Sequence, residues 1–359
     1  MRSSYREDDV TILLKDITGI VEPQPTEERE RLIQSGKHYC EMLPIEYVPS
    51  SRYMEAYREA LFHYSKPTAD AVAALADRVM EKRGRDVVLI SLARAGIPVG
   101  ILLKRYLKQV YQADVQHYAI SIIRGRGIDD NAMQYILHRH KAENLLFVDG
   151  WIGKGAILGE LEKCVSVYPG VSPELAVLAD PANVTELCGT HDDILIPSSC
   201  LNCTVSGLIS RTFLRDDVIG AQDFHGAVYY GELKESDLSY DFIRAIEQEF
   251  PPAEDTAVKR AGSGEQSGAK TGGSGADEVR QIARAFSVDD INLIKPGIGE
   301  TTRVLLRRVP WKILIREENR KDAALTHIRR LAEEKGVEIA YYPLRHYKTC
   351  GIIKKIADA

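Results

Sequence analysis

The stretch from Leu145 to Ile157 constrains the fold most, because it runs from a buried strand through a glycine turn into a helix. Four consecutive apolar residues are typical of a parallel sheet interior, and apolar residues then recur at helical spacing. Gly153 and Gly155 let a ligand approach the backbone at a helix N-terminus, where Lys154 adds positive charge. The pattern predicts a phosphate-binding turn, with Asp149 beside it for ribose hydroxyls or a metal. A glycine turn of purely structural origin is the alternative.

A second unit of the same kind lies upstream. Residues 86–91 form an apolar strand pattern that leads through Arg94, Ala95 and Gly96 into a helix with Pro98 in its first turn, where the missing N–H of proline loses no hydrogen bond. Arg94 and the amides around Gly96 predict a second anion site. Because the carboxyl ends of parallel strands meet at one sheet edge, both turns are expected to line one crevice.

These units resemble the type I phosphoribosyltransferases, in which an acidic strand end and a glycine loop hold the 5′-phosphate and ribose of phosphoribosyl pyrophosphate. In that family an earlier loop meets the pyrophosphate and a mobile loop closes over the site. Arg124-Gly125-Arg126-Gly127 takes the place of the mobile loop in chain order. The resemblance implies an α/β, type I phosphoribosyltransferase-like parallel sheet core. It also implies that Arg94, Arg124 and Arg126 stabilise the departing anion, and that Asp149 orients the ribose or its Mg²⁺.

One position departs from that family. Its members carry two adjacent acids for the two ribose hydroxyls, whereas this chain has Asp149 followed by Gly150. The missing contact leaves three substrates open: phosphoribosyl pyrophosphate itself, a related ribosyl phosphate, or a nucleotide.

A later turn is crowded with small polar residues. After an apolar strand pattern ending at Pro197 come Ser198, Ser199, Cys200 and Asn202, whose side chains offer directed hydrogen bonds to a second substrate. A hydrolase interpretation makes Cys200 the nucleophile, with either His191 or His225 as its base. No spacing fixes that base.

The N-terminal region is less regular. Residues 27–36 form a charged helix pattern, and His38 and Tyr39 lie among acids, either in a cap over the core or lining the pocket. Two amphipathic helices are predicted over residues 53–64 and 68–82, the second entered at Pro67.

The amino-acid composition indicates in which cellular compartment the protein works. Hydrophobic residues make up 44% and charged residues 28% of the 359 residues, and no segment approaches the roughly 20 apolar residues of a membrane span. The N-terminal residues lack the apolar core of an export signal, and six scattered cysteines suit a reducing compartment. We therefore expect a cytoplasmic protein with no membrane partner.

The charge is uneven along the chain. Residues 277–359 hold 17 Lys+Arg and 12 Asp+Glu, whereas the preceding residues hold 30 and 40. A Gly/Ser-rich segment separates these parts and is typical of a flexible linker. The sequence thus predicts a domain over residues 1–255, a linker over 256–276, and a separately folding basic domain over 277–359 that meets a polyanion.

The first 250 residues resemble the phosphoribosyltransferase-like proteins of tellurite-resistance and stress operons, whose members are often labelled cysteine protease StiP. The matching segments are Gln34–Tyr39, Ser91–Gly96, Ser121–Gly127, Val148–Trp151 and Pro197–Asn202. The resemblance implies a role in making a nucleoside-like metabolite and partners among other biosynthetic proteins of such operons.

The tail resembles the Pelota-type RNA-binding domain and its ribosomal relatives, an α/β sandwich. There a Gly-x-x-Glu-x-x-Lys turn at a helix start contacts RNA, and Gly297, Glu300 and Arg303 match it with Arg for Lys. Lys312 is a further expected RNA contact. Gly299 stands where relatives often carry Asn, and a domain that contacts only protein is the alternative.

Together these features predict a phosphoribosyltransferase-like enzyme with an RNA-binding tail. Gly153, Lys154 and Gly155 are expected to hold a 5′-phosphate. Two other classes stay open: a cysteine hydrolase centred on Cys200 and a non-catalytic regulator that binds nucleotide or RNA.

Overall fold

A parallel β-sheet forms the centre of the N-terminal part of the protein, whose computed structural model describes residues 1–252 and 274–355. The strands up to residue 252 are β1 (Thr11–Ile12), β2 (Lys15–Asp16), β3 (Val88–Leu92), β4 (His117–Ile120), β5 (Ile122–Ile123), β6 (Gly127–Ile128), β7 (Leu145–Trp151), β8 (Leu175–Ala179), β9 (Cys188–Thr190) and β10 (Gly226–Ala227). Six of them pair in parallel in the order β1-β4-β3-β7-β8-β9. This confirms the predicted α/β class with a parallel sheet.

Helices cover both faces of this sheet. They are α1 (Thr26–Gln34), α2 (Ser51–Arg83), α3 (Gly96–Tyr111), α4 (Asp130–Leu137), α5 (Ala156–Val165) and α6 (Ser239–Glu247). Alternate residues of a strand face opposite sides, so Leu146 and Val148 pack with α2 and α3, whereas Leu145 and Phe147 pack with α4 and α5. Burial on both faces explains the uninterrupted apolar runs in the sequence.

The predicted break at Pro67 is wrong. Helix α2 runs from Ser51 to Arg83 with Pro67 inside it. The hydroxyls of Ser65 and Thr68 donate to carbonyls one turn earlier, and the helix buries much of its surface against the sheet and α3. We infer that this burial offsets the roughly 3 kcal/mol that an interior proline costs.

The tail forms a second α/β layer with a mixed sheet. Its strands are β11 (Ile294–Pro296), β12 (Pro310–Arg316), β13 (Glu338–Tyr342) and β14 (Thr349–Ile353), in the order β11-β14-β12-β13. Only the β12–β13 pairing is parallel in this sheet. Its helices are α7 (Gly275–Ala285), α8 (Ile298–Arg307) and α9 (Thr326–Glu334).

The tail packs directly on the core. Ile298, Leu305 and Ile328 of the tail belong to one continuous apolar cluster with Cys200 and Leu201 of the core. Ion pairs cross the same interface and join Arg308 to Glu30, Arg52 to Glu334, and Arg330 to Glu59. The two parts therefore share buried surface.

The predicted linker lies mostly outside the described residues, which resume at Ser274. Ser274 caps α7 through a capping box with Asp277, so the last residues assigned to the linker begin a helix. Within the described residues, no helix is both long and apolar enough to cross a membrane.

Candidate functional site

A cavity of about 1220 Å³ lies between the core and the tail. Its walls include the ends of β3 and β7 and the helices α1 and α8. The cavity brings together ten of the residues predicted for binding or catalysis: Arg94, Ala95, Arg124, Asp149, Gly153, Lys154, Gly155, Asn202, Glu300 and Arg303. His38 and Tyr39 also line it, which favours the pocket over the cap for that segment.

The predicted phosphate turn connects β7 to α5. Gly155 is the N-cap of α5 and has φ +82°, a conformation that side chains disfavour. Within residues 1–252 and 274–355, no protein acceptor is bonded to the N–H of Lys154 or Gly155, which is the arrangement of a helix N-terminus open to an anion. The Lys154 ammonium donates to the carbonyls of Ile291 and Ile294 in the tail, at 2.7 and 3.3 Å.

The electrostatics of this turn are unusual. Burial lowers the pKa of Lys154 to about 8, with a further contribution from Lys295 and Arg124. Burial raises the pKa of Asp149 to about 6, although its carboxylate accepts the Gly150 N–H at 2.7 Å. Neighbouring groups whose pKa values are both shifted toward neutrality are typical of a functional site.

Steric crowding does not account for glycine at the position of the second acid. A Cβ built on Gly150 would meet Ala95 O at 3.5 Å, an ordinary contact. Gly96, by contrast, is required, because its Cβ would lie 2.3 Å from Val148 O where α3 crosses β7.

Arg94 is bound by the protein itself. Its guanidinium forms an ion pair with Glu46 at 3.2 Å and donates to Ile209 O at 2.8 Å and Asn202 Oδ1 at 3.2 Å. The peptide bond between Ala93 and Arg94 is cis.

The Arg124 to Gly127 segment forms the turn of the β5–β6 hairpin. Tyr39 accepts the Arg124 N–H at 3.0 Å, and Glu160 accepts the Gly125 N–H at 2.8 Å. The Arg124 side chain reaches into the cavity and donates to Asn292 of the tail at 2.9 Å. Arg126 instead pairs with Glu41 at 2.8 Å and does not line the cavity.

The thiol predicted as an alternative nucleophile is buried away from the cavity. Cys200 ends a 3-10 helix over Pro197–Cys200 that also holds Ser198 and Ser199, and burial raises its pKa to about 12. Neither predicted base contacts it, because His191 lies against Cys188 and His225 is bonded to Ser121.

Two other thiol–imidazole pairs do form, and sequence spacing did not select them. His38 Nδ1 lies 2.9 Å from Cys40 Sγ. His191 Nε2 lies 3.5 Å from Cys188 Sγ, with its Nδ1 near Asp180. Burial raises the pKa of the Cys188 thiol to about 11 and also raises that of Cys40, which opposes formation of a thiolate nucleophile.

The residues of the predicted RNA-binding turn face the core. Gly297 begins α8, where Asp193 of the core accepts the Ile298 N–H at 2.9 Å. The Arg303 guanidinium lies 4.5 Å from the Trp151 ring centroid and 3.1 Å from Glu300. A side chain on Gly299 would meet Trp151 at 2.7 Å, so contact with the core requires glycine where relatives carry Asn.

Lys312 belongs to a different surface. It lies on β12, pairs with Glu338 at 2.8 Å, and sits 5.7 Å from the ring of the exposed Trp311. The four predicted RNA contacts therefore do not form one surface.

Sequence reasoning missed several cations of the cavity. Arg29, Arg211 and Arg307 line it. The sequence predicted a charged helix over residues 27–36, and the structure buries both Arg29 and Glu30 within it. The signal in this region was the charged pattern of α1, which does not say which charges face inward.

No group of three or more His, Cys, Asp or Glu side chains that could hold a metal occurs within the described residues. Asp149 offers a single carboxylate. Mg²⁺ is commonly held by one or two carboxylates together with substrate phosphates, so Asp149 fits this ion only with a phosphorylated ligand present.

Two solved structures that are similar to part of this chain illustrate the structural comparison. A hypoxanthine-guanine phosphoribosyltransferase from Bacillus anthracis matches 35% of this chain and 77% of its own, with 18% identity and a TM-score of 0.27. A hypoxanthine phosphoribosyltransferase from Trypanosoma cruzi, complexed with IMP, matches 56% and 94%, with 14% identity and a TM-score of 0.28. Scores this low carry no argument about activity.

Sequence comparison matches nearly the whole chain. Residues 273–355 match the PELOTA RNA-binding domain. The protein named cysteine protease StiP from Acinetobacter baylyi is 35% identical over 371 residues, which cover 98% of this chain and 94% of that protein. Residues 3–247 match the family described as tellurite-like stress resistance cysteine protease StiP. The chain belongs to the StiP family and carries a C-terminal PELOTA domain.

Proposed function

We propose that this protein is a phosphoribosyltransferase-like enzyme that binds a ribosyl phosphate or nucleotide in the cavity between core and tail. The observation that carries the proposal is the β7–α5 turn, where free N–H groups, Lys154 and a partly buried Asp149 meet in one cationic cavity. Such a turn is suited to a terminal phosphate.

In this mechanism the turn fixes the 5′-phosphate, and Asp149 lies next to the ribose. Bond cleavage at the anomeric carbon develops positive charge on the ribose ring and negative charge on the departing group. The Asp149 carboxylate, ionised above a pKa of about 6, stabilises the first charge, and preorganised cations stabilise the second. Most of the rate enhancement then comes from positioning and electrostatics.

Arg94 and Arg124 are the cations of the predicted trio that line the cavity, and we assign the departing anion to them. Arg126 joins them only if its ion pair with Glu41 opens. Mg²⁺, if bound, would be held by Asp149 and phosphate oxygens, and would neutralise charge on the leaving group.

The predicted cellular role follows the family resemblance. The enzyme would make a nucleoside-like metabolite in a bacterial stress response, in the cytoplasm, with RNA bound through the tail. Other biosynthetic proteins of the same operon would act on its product or supply its substrate.

Calorimetric titration of the full chain with ribose 5-phosphate, phosphoribosyl pyrophosphate and nucleotides tests the proposal. Lys154→Ala and Asp149→Ala are each expected to weaken the ligand that binds wild type by at least tenfold, because each removes a group facing the phosphate or ribose. Lys163→Ala, which removes an exposed lysine from the helix α5 that follows the turn, serves as the control. Unchanged affinity in both site variants would reject the site.

The family name favours a second function, a cysteine hydrolase. We expect Cys200→Ser to retain more than half of the wild-type turnover, because the thiol is buried and contacts no histidine of the described chain. Mass spectrometry of trapped adducts checks this directly. Loss of turnover in Cys200→Ser, with an acyl adduct on wild-type Cys200, would establish the hydrolase, and Cys188→Ser tests the thiol next to His191 in the same way.

A further inference from the structure

Three arginines of the cavity form no ion pair with a carboxylate of the described residues. Arg29, Arg211 and Arg307 each line the cavity, and each has a buried Nε atom with no hydrogen-bond acceptor within the residues that the structure describes. Arg211 donates to the carbonyl of Tyr39, and Arg307 donates to Leu201 O at 2.8 Å. These contacts hold the guanidinium groups in place without neutralising them.

Two neighbouring arginines of the cavity do have carboxylate partners. Arg308 binds Glu30 through two hydrogen bonds of 2.5 and 2.6 Å, and Arg94 binds Glu46. Glu30 and Glu46 are thereby occupied. Among all residues that line the cavity, eleven are Lys or Arg and five are Asp or Glu, so the described walls carry an excess of six positive charges.

Such an excess is costly without a counter-charge, because buried like charges repel in a low dielectric. Burial lowers the pKa of Arg211 to about 9, with a further contribution from Arg29. Burial likewise lowers the pKa of Arg307 to about 9, and the charges of Arg303 and Arg94 contribute to the same decrease. Guanidinium groups bind phosphate oxygens in a bidentate manner, so a phosphorylated ligand offsets this cost.

The three arginines come from parts of the chain that do not form the predicted phosphate turn. Arg29 lies on α1, Arg211 follows the Ser/Cys-rich turn, and Arg307 ends the tail helix α8. The cavity of about 1220 Å³ exceeds the 300–1,000 Å³ that is usual for one small ligand. It therefore has room for two substrates at once.

We propose that Arg29, Arg211 and Arg307 form a second anion subsite, and that the acceptor substrate is itself phosphorylated. This inference rests on the proposed function, in which the turn at residues 153–155 holds the phosphate of the ribosyl donor. The tail then contributes Arg307 to the acceptor site, so the PELOTA domain is part of the enzyme's substrate pocket.

Sequential calorimetry tests the subsite. The full chain is first saturated with ribose 5-phosphate and inorganic pyrophosphate, which fill the turn and the departing-anion site at Arg94 and Arg124, and is then titrated with inorganic phosphate as the probe. Arg211→Gln and Arg307→Gln are each expected to weaken inorganic phosphate at least tenfold while changing ribose 5-phosphate and pyrophosphate affinity less than twofold. Arg139→Gln removes the same charge from an exposed site on the core and is expected to leave all three affinities unchanged. Equal inorganic phosphate affinity in wild type and both cavity variants would overturn the proposal.

The melting temperature of the unliganded protein distinguishes a binding role of Arg211 from a structural one. Removal of one uncompensated charge is expected to raise the Tm of Arg211→Gln by about 2 °C or more, while inorganic phosphate, added at saturating ribose 5-phosphate and pyrophosphate, stabilises wild type more than the variant. A Tm that falls equally with and without inorganic phosphate would make Arg211 a purely structural residue and overturn its assignment. Inorganic phosphate binding that depends on Arg211 and Arg307 in a protein that never binds ribose 5-phosphate would support the subsite and reject the proposed donor site instead.

Discussion

Asp149→Asn is expected to raise the free energy of unfolding at pH 7.5 by about 2 kcal/mol and to weaken ribosyl phosphate binding at least tenfold. Burial shifts the pKa of this carboxyl from its ordinary 3.8 to about 6, and each unit corresponds to about 1.4 kcal/mol before partial exposure to solvent is considered. Asparagine keeps the acceptor for the Gly150 N–H and removes the buried charge. The site would thus trade stability for binding.

The pH dependence has a definite sign. The folded wild type binds a proton at Asp149 more tightly than the unfolded chain does, so this carboxyl favours folding below pH 4 and loses that effect between about pH 4 and 6. The stability gap between Asp149→Asn and wild type should therefore be small at pH 4 and constant above pH 7. Urea unfolding at four pH values measures it.

Glu162→Gln is the matched control for this series. Glu162 is an exposed acid on α5, and its substitution is expected to change stability by less than about 0.5 kcal/mol. If Asp149→Asn were less stable than wild type at pH 7.5, the inference that the Asp149 charge destabilises the folded state would be wrong.

Local sequence patterns were sufficient to predict the strand and the helix that flank the predicted phosphate turn. The apolar run before Asp149 is β7, the glycines form the turn, and the helical spacing that follows is α5. These predictions worked because a strand buried on both faces must be apolar throughout, whichever partners surround it.

The contact between core and tail could not be predicted in the same way. Glu300 and Arg303 match an RNA-binding motif, and a polar turn in a basic domain is typical of an exposed surface. Their partial burial depends on Trp151, which lies more than a hundred residues away in the sequence. Gly299 was the one local sign, since it departs from the family pattern at the position where the Trp151 ring packs.

RNA binding by the tail is expected to increase at least tenfold when the tail is released from the core. The Asp193 carboxylate accepts the N–H groups of Ile298 and Lys348, both at 2.9 Å. Asp193→Ala leaves two buried donors without an acceptor, which costs about 3 kcal/mol. Because that cost falls on the docked state, the open state with Gly297, Glu300 and Arg303 accessible becomes more populated, and apparent RNA affinity rises with that population.

Fluorescence anisotropy with a bulged RNA at low salt measures this effect in the full chain, and hydrogen exchange at Ile298 and Lys348 confirms release. Asp192→Ala, a change at the exposed neighbouring acid, should bind RNA as wild type does. Arg303→Ala placed on Asp193→Ala should remove the gain and lower the salt slope by about one unit. If Asp193→Ala exposes the amides without changing RNA affinity, and Lys312→Ala abolishes binding in wild type, the RNA is bound on the β12 surface beside Trp311, which stays accessible in the docked state.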